Sequence, residues 1–149
     1  MCLVGPDLCC GVSYSCSKGL VRGWLARWKD RLWWTTPGLR QSKLFVNPYA
    51  KESGRLLLLA KGELRILSGM LTGHGPLRKH LSRMGIGPGA DCRFCLEDEE
   101  TAEHLWIDCP AISTQRRQYL GRGWPSPQEI RELDPSRLLG FCKSLRLEE

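Results

Sequence analysis

The stretch Asp91-Cys92-Arg93-Phe94-Cys95-Leu96-Glu97-Asp98-Glu99-Glu100-Thr101-Ala102-Glu103-His104-Leu105-Trp106-Ile107-Asp108-Cys109-Pro110 organises everything around it. Its spacing is C-x2-C-x8-H-x4-C. A tight C-x2-C turn sets two thiolates on one side of an ion, and the later His and Cys close the other side of a tetrahedron. Cys92, Cys95, His104 and Cys109 are therefore the expected ligands of one structural Zn2+. Four protein donors leave no open position for water, which argues against a catalytic metal. A Cys92–Cys95 redox pair is the competing reading, but no strand-to-helix unit of the thioredoxin kind adjoins it. Three thiolates give the site a net charge of about −1, which nearby Arg93 is placed to offset. His74 and His80 are close enough in sequence to compete as donors, though loop histidines more commonly cap or half-bury.

Working outward, the flanking segments read as helices. Leu20, Val21, Trp24, Leu25, Trp28 and Leu32 fall on one stripe, with Arg22, Arg27, Lys29 and Arg31 on the remaining positions, up to Trp33-Trp34 and the turn Thr35-Thr36-Pro37-Gly38. A short segment spans Leu39 to Phe45 and stops before Asn47-Pro48. The strongest pattern runs from about Glu52 to Leu71, with Leu56, Leu57, Leu59, Ala60, Leu64, Leu67 and Leu71 as its apolar face. Lys51, Arg55, Lys61 and Arg65 lie outside, and Gly62 and Gly69 weaken the helix. Thr72-Gly73-His74-Gly75-Pro76 breaks it, and Pro76 suits the first position of a shorter helix through Leu77, His80, Leu81 and Met84. A glycine-rich loop over 85–89 leads into the cluster. Beyond it, Pro110 opens a helix through Ile112, Gln115, Tyr119 and Leu120, closed by Gly121. Ser126-Pro127-Gln128-Glu129 is a capping box, and Asp134-Pro135 opens a last helix carrying Leu138, Leu139, Cys142 and Leu145 inward.

No alternating strand pattern of useful length appears. The expected fold is mainly α: a small helical domain with one structural CCHC zinc site and a disordered N-terminal leader. The expected divisions are a leader over 1–18, a basic helical region over 19–89, the zinc segment over 90–111 and C-terminal helices over 112–149.

The 149 residues suffice for one modest core, with 42% hydrophobic and 26% charged residues. No apolar run approaches the length of a membrane span, so no membrane partner is expected. The first residues lack a basic n-region and a continuous apolar stretch, so no secretory signal is expected. Eight cysteines then read as reduced thiols in an intracellular protein of cytoplasm or nucleus rather than a disulfide framework. The net charge of +6 is uneven: residues 18–83 hold 14 Lys and Arg against three acids, while 84–149 hold eight against 12. A polyanion partner for the first half fits this asymmetry, and an ordinary solvated basic face fits it equally well.

The run Glu63 to Leu81, with its Leu71-Thr72-Gly73-His74 core, then Cys92-x2-Cys95, Glu103-His104-Leu105 and Asp108-Cys109-Pro110-Ala111, resembles the C-terminal region of arthropod non-LTR, Jockey-like retrotransposon polyproteins. The resemblance spans roughly residues 20–145 and leaves 1–18 unmatched. That region follows the reverse transcriptase and, where present, RNase H domains, and its CCHC segment is a zinc-knuckle-like element that helps hold RNA or DNA. The resemblance implies the same four ligands, with Phe94 and Trp106 as candidates to stack on bases. Core packing is the alternative for both, and the favoured one for Trp106.

One departure from retroviral knuckles is the acidic loop of Glu97, Asp98, Glu99, Glu100 and Glu103, which would repel phosphate. Phosphate contacts are better sought at Arg22, Arg27, Arg31, Lys43, Arg55, Arg65, Arg78, Lys79 and Arg83. Catalytic residues are not expected, because there is no Asp-Asp pair for polymerase metals, no RNase H carboxylate set, and no phosphate loop. No small-molecule substrate is implied. The leading expectation is a non-catalytic zinc-binding and nucleic-acid-binding fragment of such a polyprotein. The alternatives are a zinc-stapled protein-interaction domain and a relic of a decayed element.

Overall fold

The computed structural model describes residues 11–46, 48 and 54–147. The chain divides into two compact units, Met1–Thr36 and Pro37–Glu149.

Among the described residues, the first unit contains one long helix, α1 (Tyr14–Thr35). Ser13 caps it, its hydroxyl accepting from the Cys16 N–H at 3.3 Å. Thr36 ends it in an extended conformation, as the residue before Pro37 must. Two expectations change here. Residues 14–18, expected in the leader, are helical because Ser13 supplies the cap; residues 1–10 lie outside the described residues. Trp33 and Trp34 belong to the helix rather than ending it. None of the α1 side chains is buried.

The second unit is built from α2 (Arg40–Phe45), α3 (Lys61–Thr72), α4 (Arg78–Arg83), α5 (Ser113–Leu120), α6 (Pro127–Glu132) and α7 (Pro135–Ser144). Between α4 and α5 lie a π-helical turn at His104–Asp108 and a 3-10 turn at Pro110–Ile112. Among the described residues there is no strand, only an isolated antiparallel bridge between Asp91 and Glu99. The mainly α fold is as the periodicity predicts. No helix among the described residues is long and apolar enough to cross a membrane.

Helix α3 is shorter than its sequence pattern. It begins at Lys61, where the Glu63 carboxylate reaches back to accept from the Ala60 N–H at 3.3 Å. Before it, the chain turns through Leu57 and Leu58, which are exposed, so that Leu56 and Leu59 can pack on the core. Tertiary burial overrides the helix propensity of the leucine run. Lys51 and Glu52 lie outside the described residues. Gly69 is a requirement of the packing: a Cβ there would meet the Gly75 Cα at 3.0 Å, so α3 and the following turn touch backbone to backbone. Gly73, at φ 78°, is the left-handed C-cap. Pro76 precedes the N-cap Leu77 instead of opening α4.

The C-terminal half follows its capping signals closely. Gly121 caps α5 in the left-handed region, and Ser126 and Glu129 form a reciprocal capping box on α6. The Asp134 carboxylate accepts from the Ser136 N–H at 2.9 Å to start α7. Leu138, Leu139, Cys142 and Leu145 all point inward. Helix α7 packs on α3 and α5, and α2 packs on α3 and α6. The centre of this body is Trp106, fully buried between Phe45 at 6.1 Å and Phe141 at 5.0 Å between ring centroids.

Candidate metal centre

The segment 90–100 folds into an arch. The Cys92 N–H donates to the Asp98 carbonyl at 2.7 Å, and the Glu100 N–H donates to the Ala90 carbonyl at 2.7 Å. At its tip the Leu96 N–H donates to the Cys92 carbonyl at 3.0 Å, and Leu96 takes the left-handed region at φ 61°. That turn presents the Cys92 and Cys95 sulfurs to the same side.

The second pair of donors comes from the π-helical turn. The His104 N–H donates to Thr101 Oγ1 at 3.0 Å, and the Cys109 N–H closes on the His104 carbonyl at 2.7 Å. In an α-helix a residue five positions on lies about 140° round the axis. The wider i to i+5 turn instead returns Cys109 toward His104. This is how the x4 gap between His104 and Cys109 works.

The donor atoms of Cys92, Cys95, His104 and Cys109 all lie within 4.8 Å of one another. Cys92 Sγ and Cys109 Sγ are 3.8 Å apart, and Cys95 Sγ is 3.3 Å from His104 Nε2. A tetrahedral ion bonded to thiolates at about 2.3 Å and imidazole at about 2.0 Å needs about 3.8 Å between sulfurs and about 3.6 Å between sulfur and nitrogen. The cluster fits such an ion with small adjustment. Cys92, His104 and Cys109 are buried and Cys95 is half-buried, so protein encloses most of the site. Cys92, Cys95 and Cys109 are free thiols. His104 Nδ1 has no hydrogen-bond partner and faces Asp98 Oδ2 at 3.9 Å, the position of a carboxylate that orients a ligating imidazole.

Burial dominates the thiol chemistry. It pushes Cys109 up to about 12, with the charge of Cys92 acting the same way. Burial also raises Cys92. On Cys95 burial again acts upward, but the Glu97 N–H, the Cys92 thiol and the Asp98 N–H bring it below the usual thiol value. Uptake of an ion therefore displaces protons from these thiols.

Two arginines support the cluster, and the sequence assigns neither correctly. Arg93 is not the counter-charge of the thiolates. Its Nε and Nη2 donate to Glu100 Oε2 and Oε1, each at 2.8 Å, and it also donates to the Leu147 and Pro76 carbonyls at 3.2 and 3.0 Å. Glu100 is fully buried and further accepts from the Arg78 and Arg93 backbone N–H groups, both at 2.9 Å. It is thus an anchor, not part of a solvated acidic loop. Burial pushes the Glu100 carboxyl up, but the Arg93 guanidinium and these N–H groups more than reverse this and hold it below the usual range.

The second is Arg116, also fully buried, a cation that feels the charge of Cys109. It donates to the carbonyls of Leu105 at 3.1 Å, Cys109 at 2.6 Å and Gly123, clamping both ends of the ligand-bearing turn. No spacing rule singles out Arg116 in the polar run Ser113–Leu120.

The remaining predicted site residues are dispersed. Trp106 is no base-stacking platform: it has no exposed surface, and its indole N–H donates to the Met70 carbonyl at 3.3 Å. Phe94 is half-buried against the core. Lys79 pairs with Glu99 and Arg40 with Glu103 at 2.9 Å, so these two loop acids are met by neighbouring cations, whereas Arg78 donates to the Asp91 backbone carbonyl at 3.4 Å. Lys43 is half-buried on α2. Arg55, Arg65 and Arg83 are exposed in the second unit, and Arg22, Arg27 and Arg31 are exposed on α1. His74 and His80 lie edge to face, 5.3 Å between ring centroids, and belong to no metal group among the described residues. No protein-family model, curated protein or solved structure matches the chain.

Proposed function

We propose that the protein is a non-catalytic module stapled by one zinc ion and binding nucleic acid through cations outside the metal loop. The observation that carries the reading is the closure of four donors within 4.8 Å on a segment whose Trp106 is the centre of the core. Three thiolates and an imidazole favour zinc over harder cations, and a full donor set suits folding rather than hydrolysis. Zinc binding here is folding free energy, because the arch and the π-helical turn are brought together by the ion.

Support for nucleic acid comes from charge. Arg65 and Arg83 are exposed, and each lines a cleft shared with His74 and His80. Such cations would take phosphates, with the metal loop fixing the helices that carry them. This agrees with the resemblance to non-LTR retrotransposon polyproteins, in which this module would follow the catalytic domains.

Metal analysis of purified protein tests the staple. One zinc per chain is expected in the wild type and none in the Cys92→Ser/Cys95→Ser variant; a folded wild type without zinc overturns it. A salt titration of single-stranded RNA binding tests the second half. Affinity should fall with salt and drop further in Arg65→Glu/Arg83→Glu, whose zinc content stays unchanged. Salt-independent binding, or none at low salt, overturns it. A protein-interaction role is the second reading, and the exposed apolar stripe of α1 favours it.

A further inference from the structure

A helix of 22 residues that buries none of its side chains is thermodynamically incomplete. On α1, Val21, Leu25, Trp28 and Leu32 are spaced by four, three and four, the seam of a coiled coil, and are 55%, 37%, 46% and 43% exposed. Trp24 stacks on Trp28 along the same edge, with centroids 6.1 Å apart and planes 10° apart. Gly19 and Gly23 fall on the opposite face, where small residues cost no packing. The positions bordering the seam are Arg22 and Lys29 on one side and Arg31 beside Trp24 on the other. The helix has a single acid, Asp30, which lies away from the seam and accepts from the Trp34 indole N–H at 3.2 Å.

From this pattern we infer that α1 is one strand of a heteromeric coiled coil, whose partner is an amphipathic helix with acidic residues bordering its own apolar seam. Border charges decide which helices pair. A second copy of this chain would set Arg22, Lys29 and Arg31 against identical cations with no acid to meet them. Nucleic acid would satisfy the cations but leave Val21, Leu25 and Leu32 in water. An acidic helix satisfies both, covering about three heptads over about 33 Å. This inference is independent of the nucleic-acid reading, which rests on the second unit.

The test titrates the full chain with synthetic three-heptad peptides carrying Leu at the seam and either Glu or Lys at every border position. Calorimetry and tryptophan fluorescence provide the readouts. The Glu peptide should bind with a blue shift, at least roughly tenfold tighter than the Lys peptide. The Arg22→Glu/Lys29→Glu/Arg31→Glu variant should invert that preference, and Leu25→Ser/Leu32→Ser should abolish binding of both. Metal content should be unchanged in every variant, since α1 lies outside the metal unit. Equal binding of the two peptides, binding of neither, or a preference that survives the charge reversal overturns the inference. So does binding of single-stranded RNA or anionic vesicles through these side chains without affinity for the Glu peptide.

Discussion

Arg93 and Glu100 meet through two parallel hydrogen bonds, Nε to Oε2 and Nη2 to Oε1, both at 2.8 Å, with the carboxylate wholly buried. The pair joins the metal arch to α4, through the Arg78 N–H, and to the C-terminal segment, through the Leu147 carbonyl. A two-pronged guanidinium–carboxylate contact fixes orientation as well as distance.

Replacing Glu100 by Ala leaves a largely buried guanidinium unpaired and should cost about 3–5 kcal/mol at pH 7 in urea unfolding. The Glu100 carboxyl is held below its usual range in the folded protein, so its contribution is complete above the unfolded value of about 4.3. It is lost as pH falls through the folded value. The stability gap between wild type and Glu100→Gln should therefore be widest near neutrality and close in acid. A gap that stays constant below pH 4 would contradict the pairing.

Trp106 sits among Phe45, Phe141 and the Met70 carbonyl. Trp106→Ala should cost about 3–5 kcal/mol through the cavity it leaves. Trp106→Phe keeps most of the packing and loses the indole hydrogen bond, for roughly 1–2 kcal/mol. Denaturation midpoints should report this order. RNA affinity of the folded Phe variant should equal that of the wild type, since the ring has no exposed surface.

Arg116 holds the Leu105 and Cys109 carbonyls from beneath the π-helical turn. Arg116→Met strands those acceptors and removes a buried cation from the vicinity of Cys109, so a loss of about 3 kcal/mol or more is expected. Metal affinity, read by chelator competition, should weaken by roughly 10–100-fold, the usual effect of removing an outer support of a ligand. Unchanged affinity would show that the turn is held without it.

Leu96 occupies the left-handed region at φ 61° and is 72% exposed, so little packing compensates its backbone strain. Leu96→Gly removes a strain of about 1–2 kcal/mol while adding unfolded-state freedom worth about 0.5–1 kcal/mol. The net should be neutral to mildly stabilising. Leu96→Val, with its branched Cβ in the same conformation, should destabilise by about 1 kcal/mol or more. Thermal midpoints of the two variants would separate them.

The capping signals were the most legible part of the chain. Ser126 with Glu129, Asp134 with Pro135, and Gly121 all act within one helical turn, so their geometry depends on neighbours in sequence. The leucine run at 56–59 misled for the complementary reason. Its residues favour a helix locally, and only the core decides that Leu56 and Leu59 turn inward while Leu57 and Leu58 face water.

The four clustered donors are the clearest product of sequence alone, because spacing restricts which residues could surround one ion. The helical class and the inward face of α7 follow likewise from periodicity. Tertiary structure alone decided the roles of the charged side chains. Arg93, Glu100 and Arg116 look on the page like any other surface charge. Burial makes an unmatched charge or carbonyl costly, and which partners lie within reach depends on segments such as 76–78 and 147 that meet only in the folded chain. Sequence located the Cys3His cluster, and long-range packing determined what holds it in place.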